Sequence, residues 1–168
     1  MDNRTPALDD RRLDGIEYQV VRHGPVRSLQ EAAAERGVAE SAVIKTMVVR
    51  VSDDEHVFVL VPGDRVIDWT KLRKTLGVNR LSLPDEESAL AVTGYKRGTI
   101  TPFGATRSLP VFADTRLSGN TISIGGGAHG VSITLSGDEA IRVLQASTAD
   151  VTKPALPTNP RRPGPEHR

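Results

Sequence analysis

The sequence predicts an α+β fold, and three observations predict it. β-Branched runs lie close together in pairs, as hairpins do. Short helical stretches with cap signals are interspersed among them. The strands and helices do not follow the regular relay of a doubly wound parallel sheet. Taken along the chain, residues 1–12 are polar and charged and are expected to form a flexible lead-in. Residues 16–22 suit a strand after the stop at Gly15. Ser28 and Glu31 have capping-box spacing, so residues 29–36 read as a short helix ended by Gly37. Residues 43–51 and 56–61 are β-branched runs joined by Ser52-Asp53-Asp54-Glu55, which predicts a hairpin. Asp68 caps a helix that runs through Leu76 to Gly77, and residues 86–92 form a second helical stretch before Gly94. Residues 109–113, 121–124 and 131–135 read as strands. Ser136 and Glu139 repeat the capping-box spacing and open a last helix to about residue 146. The end, KPALPTNPRRPGPEHR, has five prolines in residues 153–168 and is expected to be a disordered tail. The expected folded domain is therefore residues 13–152.

Composition narrows the chemistry. A chain of 168 residues suits one domain with a sizeable core. Aromatic content is 4% against 38% hydrophobic, so aliphatic side chains must fill that core. With no cysteine there is no disulfide framework, thiolate metal site or cysteine nucleophile. The four histidines lack metal-ligand spacing and no nucleophile-elbow serine motif occurs, so neither a metal nor another cofactor is expected. No apolar leader and no run near the ~20 apolar residues of a membrane span is present, which favours the cytoplasm and no membrane partner. The net charge of +1 names no partner. Locally, Lys71, Arg73, Lys74 and Arg80 form an acid-free basic stretch, with Lys96, Arg97 and Arg107 further on. Such a patch meets either phosphates or only solvent.

Three features can carry chemistry. Lys45 falls in the row Val43, Lys45, Met47, Val49, Val51 on one face of a strand. A buried ammonium is costly without a partner, which marks Lys45 as a candidate functional residue. The alternatives are that it snorkels to water, or that the buried face is that of Ile44 and Val48. The second feature is GYKRGTITPFG at residues 94–104, a glycine-rich loop stiffened by Pro102. There Gly98 leaves backbone N–H groups open to a ligand's oxygen. The third is Gly125-Gly126-Gly127-Ala128-His129-Gly130 between two strands, either a wide turn or a substrate approach with His129 at its rim.

Read in order, HGPVRSLQEAA (residues 23–33), AVIKTMVV (42–49), FVLVPGDRVID (58–68), GYKRGTITPFG (94–104) and GGGAHGVSITLSGDEAIRVL (125–144) resemble the YbaK/prolyl-tRNA synthetase-associated family of editing domains. The resemblance implies a curved mixed sheet, partly barrel-like and flanked by helices. It implies hydrolysis of mischarged aminoacyl-tRNA, typically tRNA for proline, without a metal. The family's functional lysine falls on Lys45. Its Gly-x-x-x-Pro substrate loop falls on Gly98, Thr99, Ile100, Thr101 and Pro102, and its glycine turn on residues 125–127, with Gly126 central. Expected substrate contacts further include His129, which stands where alanine-clearing relatives have a histidine, and Asp138, which resembles an acidic position of cysteine-clearing ones. His23 stands where some of the latter have a tyrosine, and Thr46 where the alanine-clearing branch has asparagine. These mixed signals leave the cleared amino acid open. Lys71, Arg73 and Lys74 are the expected tRNA contacts. The expected partners are aminoacyl-tRNA and prolyl-tRNA synthetase in a transient complex, with no DNA. The rival readings are a non-catalytic module that holds tRNA or a synthetase, and a small-ester hydrolase.

Overall fold

The computed structural model describes residues 4–156. Its strands are β1 (Tyr18–Arg22), β2 (Ile44–Ser52), β3 (Glu55–Pro62), β4 (Arg65–Ile67), β5 (Val111–Asp114), β6 (Thr121–Gly125), β7 (Val131–Ser136), β8 (Ser147–Ala149) and β9 (Thr152–Pro154). Its helices are α1 (Leu29–Arg36), α2 (Trp69–Leu76), α3 (Glu86–Thr93) and α4 (Gly137–Leu144). Ser28, Asp68 and Ser136 cap as the sequence announces, and Asp85 is a fourth cap. Ser28, Asp68, Asp85 and Ser136 each accept from a backbone N–H in the first turn of α1, α2, α3 and α4. Gly37, Gly77 and Gly94 end the first three helices in the left-handed region, where glycine carries no Cβ penalty.

The strands make an antiparallel sheet in the order β1-β7-β6, a mixed sheet in the order β2-β3-β5-β8, and the small pair β4-β9. β2 and β3 form the expected hairpin, while β3-β5 and β5-β8 are parallel. A single parallel bridge between Val43 and Ser123 joins the first two sheets. The result is a curved, open mixed surface flanked by helices; the partial barrel expected of it does not close.

Alternation then sorts the side chains. Ile44 and Val48 of β2, Phe58 and Leu60 of β3, Ile122 and Ile124 of β6, and Ile133 and Leu135 of β7 enter the larger core with Ala140 and Leu144 of α4. The other faces of β2 and β3 supply Met47, Val49, Val57, Val59 and Val61 to a second core, closed by Leu72 and Trp69 of α2. β3 is thus buried on both faces, which is why EHVFVLVP reads as a nearly continuous apolar run.

Both expected domain ends shift. Residues 4–12 are not a loose lead-in: Thr5, Ala7 and Leu8 are buried, and Asp10 caps a 3-10 turn at Arg11–Leu13. The polar composition hides this, because the polar groups bond to the domain instead of to water. At the other end, β9 pairs with β4, and the Ala155 N–H reaches the Asp64 carbonyl. Residues 157–168 of the expected disordered tail lie outside the described residues.

A buried carboxylate holds the C-terminal strands in place. Asp114, fully buried at the end of β5, accepts from Thr152 Oγ1 at 2.7 Å, from the Val151 N–H at 3.3 Å, and from the Arg116 N–H and guanidinium at 3.0 Å. Arg116 also grips Asp150, which Lys71 Nζ holds at 2.9 Å; the two cations, Lys71 first, pull the Asp150 carboxyl down to about 2. Burial acts to raise the Asp114 carboxyl, but its bonds to Thr152, Arg116 and Val151 together hold it below the ordinary value. A depressed carboxylate stabilises the fold fully above its unfolded value, and this contribution is lost as pH falls through the lower folded value. Asp114→Ala should therefore cost about 3 kcal/mol in urea unfolding near neutral pH, because it strands several buried donors. The deficit relative to the parent should shrink as pH falls through the folded Asp114 value. A midpoint equal to the parent's at neutral pH would show that the clamp is dispensable.

Candidate functional site

The face of the sheet opposite the larger core is the polar one. In β7 the residues between Ile133 and Leu135 and before them are Thr134 and Ser132; their partners in β6 are Ser123 and Gly125, and in β1 Gln19 and Val21. Paired residues share a face, so these six side-chain positions line one surface. The Val43–Ser123 bridge extends that surface into β2, where Val43 and Lys45 lie on the same side. Because the bridge is parallel, two residues further along both strands carry Lys45 and Gly125 toward the same end of the sheet. α1 covers part of the surface: a Cβ on Gly63 would meet both Leu29 of α1 and the Val43 carbonyl, and Arg36 at the far end of the helix donates to Ser123 Oγ at 3.3 Å.

Three loops gather at the open end. The Ile100 carbonyl oxygen lies 3.6 Å from where a Cβ on Gly125 would stand, so the loop of residues 95–104 folds over the Lys45 side of the sheet. Gly98 has φ +88°, and a Cβ there would lie 3.0 Å from Cε1 of His129. The β1–β7 ladder continues one residue beyond β1, with the His23 N–H donating to the Gly130 carbonyl at 2.9 Å. His23 therefore keeps the alternation of Val21 and belongs to the same face.

The N-terminal segment secures these loops. Thr5 Oγ1 donates to the Gly126 carbonyl at 2.5 Å. Asp10 Oδ2 accepts from the Gly104 N–H at 2.7 Å, and the Arg12 guanidinium donates to the Pro102 carbonyl at 3.0 Å while lying over the Phe103 ring. Within the loop, Tyr95 OH donates to the Phe103 carbonyl at 2.6 Å. Burial first, and the Asp10 carboxylate second, push this phenol up to about 12, so it stays a donor.

Lys45 itself neither snorkels freely nor pairs with an acid. Its Nζ donates to the Arg65 carbonyl at 2.5 Å. Burial holds its ammonium below the ordinary lysine value, partly offset by the Asp64 carboxylate. β2 is buried on both faces: Ile44 and Val48 enter one core, Met47 and Val49 the other, and Lys45 stands at the edge of the second.

Of the sequence-derived candidates, Gly98 meets His129, the Ile100 carbonyl approaches Gly125 beside Gly126, and His23 bonds to Gly130; Lys45 shares their side of the sheet by register. Thr99, Thr101 and Pro102 shape the loop: Thr99 donates to the Lys96 carbonyl, Thr101 is fully buried, and the Pro102 carbonyl anchors Arg12. Thr46 turns to the opposite face from Lys45, with its Oγ1 buried and without a protein partner. Asp138 lies at the far end of β7 from the glycine turn. It accepts from Ser118 Oγ at 2.6 Å and the Gly119 N–H at 3.0 Å, and these bonds, Ser118 first, lower its carboxyl; it holds a turn in place of substrate. Lys71 is engaged by Asp150 and the Thr152 carbonyl, and Arg73 by Thr70, leaving Lys74 the most exposed of the three.

Two residues on the polar face were not legible in the sequence. Among the described residues five buried side-chain polar atoms have no protein partner, and three of them, His23 Nε2, Arg36 Nε and Thr134 Oγ1, belong to this face. Unsatisfied buried groups in one place mark a site that expects a ligand or water. Arg36 reads only as a basic residue closing a helix, and Thr134 as one strand residue among many.

Comparisons with known proteins place the family and the fold. The sequence model of the family described as "Aminoacyl-tRNA editing domain" matches residues 23–143. A proline–tRNA ligase of Desulfovibrio desulfuricans is 36% identical over 130 residues, which cover 73% of this chain and 22% of the ligase. The chain thus spans about a fifth of that relative's length. The "Putative Cys-tRNA(Pro)/Cys-tRNA(Cys) deacylase EbsC" of Enterococcus faecalis is 24% identical over 151 residues, 89% of this chain and 92% of its own. The crystal structure of "a putative trans-editing enzyme for prolyl tRNA synthetase" superposes with a TM-score of 0.78 at 24% identity, over 90% of this chain and 99% of that one, and shows the same fold.

Gly98→Ala should expose the role of the loop. The added methyl both enters a left-handed backbone position, at about 1–2 kcal/mol, and crowds His129. Thermal melts should show that modest loss, while turnover of the substrate should fall by about 10²-fold, the scale of losing one oxyanion-type contact. Turnover that falls no further than the melt accounts for would make the loop a connector.

Proposed function

Because this chain belongs to the aminoacyl-tRNA editing domain family, we propose that it hydrolyses, in trans and without a metal, the ester that joins a wrong small amino acid such as cysteine or alanine to tRNA for proline. A prolyl-tRNA synthetase is its partner in a transient complex, as the source of that tRNA. The observation that carries this reading is the polar sheet face: Lys45 lies on its side by register, the Gly98 loop and His129 meet at its end, and His23 Nε2, Arg36 Nε and Thr134 Oγ1 are buried on it without protein partners.

The chemistry asks little of such a site. An aminoacyl ester is already activated, so holding it beside its nucleophile supplies much of the rate. Lys45 binds the ester carbonyl oxygen or the phosphate of the terminal adenosine, exchanging the Arg65 carbonyl for a charged acceptor. Backbone groups around Gly98 hold the aminoacyl end, with His129 against them. Water, or a hydroxyl or thiol of the substrate itself, attacks. Arg73 and Lys74 on α2, together with Lys96 and Arg97 beside Gly98, offer exposed or half-exposed cations to tRNA phosphates, whereas Lys71 is held within the fold.

Single-turnover deacylation of a panel of mischarged tRNAs by the chain alone tests the reading directly. Hydrolysis should proceed without any synthetase and be unchanged by EDTA. Binding without hydrolysis would establish a tRNA-holding module, and activity lost in EDTA and restored by zinc would overturn the metal-free reaction.

Lys45 separates function from packing. Lys45→Met removes a half-buried charge but also the donor to the Arg65 carbonyl, terms of opposite sign on the order of 1–3 kcal/mol each. The melt should therefore stay near the parent's while deacylation falls by about 10²-fold or more. Lys45→Arg should fail too, since a planar fork does not replace a compact ammonium. A folded Lys45→Met protein with the parent's rate would remove Lys45 from the reaction.

A further inference from the structure

His23 carries a polar atom that the proposed reaction leaves unused. Its Nδ1 lies 2.8 Å from the Gly24 carbonyl oxygen. A carbonyl oxygen only accepts, so Nδ1 bears the hydrogen and donates. In the neutral ring this fixes the tautomer and leaves Nε2 as a bare lone pair. That Nε2 is buried and has no protein partner. Leaving a buried acceptor unpaired is costly, so its retention calls for a donor that arrives from outside.

The position of His23 says which donor. Through its N–H bond to Gly130 it continues the face of Ser132, Gly125 and Lys45. Lys45 and the backbone amides of the Gly98 loop are donors, suited to the carbonyl or phosphate oxygens of an aminoacyl-tRNA end. The α-amino group of the same substrate needs the opposite, an acceptor. Lys45 brings none; the Ile100 carbonyl above Gly125 and hydroxyls such as that of Thr134 also accept, but a hydroxyl donates as well, whereas the bare Nε2 only accepts. We propose that His23 Nε2 accepts a hydrogen bond from the α-ammonium of the aminoacyl group, making His23 the residue that recognises the amino acid's amine. This rests on the polar face being the aminoacyl site. An imidazole recognises the amine without the strong field of a carboxylate, which would draw the Lys45 ammonium away from the substrate's oxygens.

Two measurements decide it. The first uses the protein without substrate: long-range ¹H–¹⁵N spectra of the histidine rings, with His23 assigned by its loss in His23→Gln. The expected pattern is protonated Nδ1 and bare Nε2. Addition of 3′-alanylamido-3′-deoxyadenosine, a stable amide mimic of the tRNA end, should move the Nε2 resonance. An Nε2–H tautomer, or no shift at saturating mimic, overturns the proposal.

The second compares alanyl-tRNA with propionyl-tRNA, which lacks only the amine. His23→Leu removes the acceptor and should lower kcat/KM for alanyl-tRNA by about 10-fold or more, the weight of one hydrogen bond to a charged group. The propionyl ester should change by less than about 3-fold, and His23→Gln, whose carbonyl reaches near the Nε2 position, should recover most of the loss. Equal loss on both esters would assign the imidazole to the attacking group and overturn amine recognition. If the parent hydrolyses neither ester, alanine is not the amino acid it clears, the same comparison is made with cysteinyl-tRNA and its des-amino ester, and inactivity there too overturns the deacylase reading while the spectra still decide what His23 binds.

Discussion

The two sheets of this protein meet through one parallel bridge, Val43 to Ser123, and the site depends on where that bridge falls. It aligns the end of β2 that carries Lys45 with the end of β6 that runs into the glycine turn. Shifting β2 by one residue would turn Lys45 into the larger core, since the side-chain period of a strand is two. The register is held by apolar residues on both sides of it. Ile44 and Val48 are fixed in one core, Met47 and Val49 in the other, and β3 packs against both. The site lysine is therefore placed on its face by its neighbours' burial, and its ammonium is then held by the Arg65 carbonyl.

The same double burial explains what could be read from the sequence. Helices α1 to α4 were legible because Ser28, Asp68 and Ser136 announce their starts and glycines announce three of their ends. The β2–β3 hairpin was legible because its β-branched runs are long. β4, β8 and β9 have three residues each, too few to show a period, and they exist because Asp114, Arg116 and Asp150 pull the C-terminal segment onto the sheet. The N-terminal segment was misread for a related reason. Asp10 and Arg12 look like solvated charges in a list of residues, but their bonds go to Gly104 and Pro102.

The candidate site was legible where a motif constrains the backbone. Gly98 and Gly126 stand where loops pass close to other groups, and Lys45 interrupts an apolar row. Asp138 and Lys71 show the opposite case. Each is a charged residue of the expected type that the fold spends on a local bond, to Ser118 and to Asp150. Nothing in a single sequence separates a charge used for structure from one left for a ligand. Arg36 and Thr134 are the converse, for their lack of partners becomes visible only when α1 lies across the sheet.

An editing site faces a discrimination problem that binding to one pocket solves poorly, because small side chains differ by about 1–3 kcal/mol per methylene. On the function proposed above, this protein would meet it with a firmly anchored frame and few committed charges. The N-terminal segment grips the substrate loop from behind through Asp10 and Arg12, and Thr5 grips the glycine turn, so both loops are held by groups remote from any reacting atom. Preorganisation of this kind favours catalysis by position, since a loop that need not reorder loses less entropy when substrate arrives. It also accounts for the unpaired polar atoms. Groups that satisfied one another would have to be separated before a substrate could use them. Groups kept apart by a stiff scaffold cost stability in the free protein and return it when the correct donor or acceptor enters.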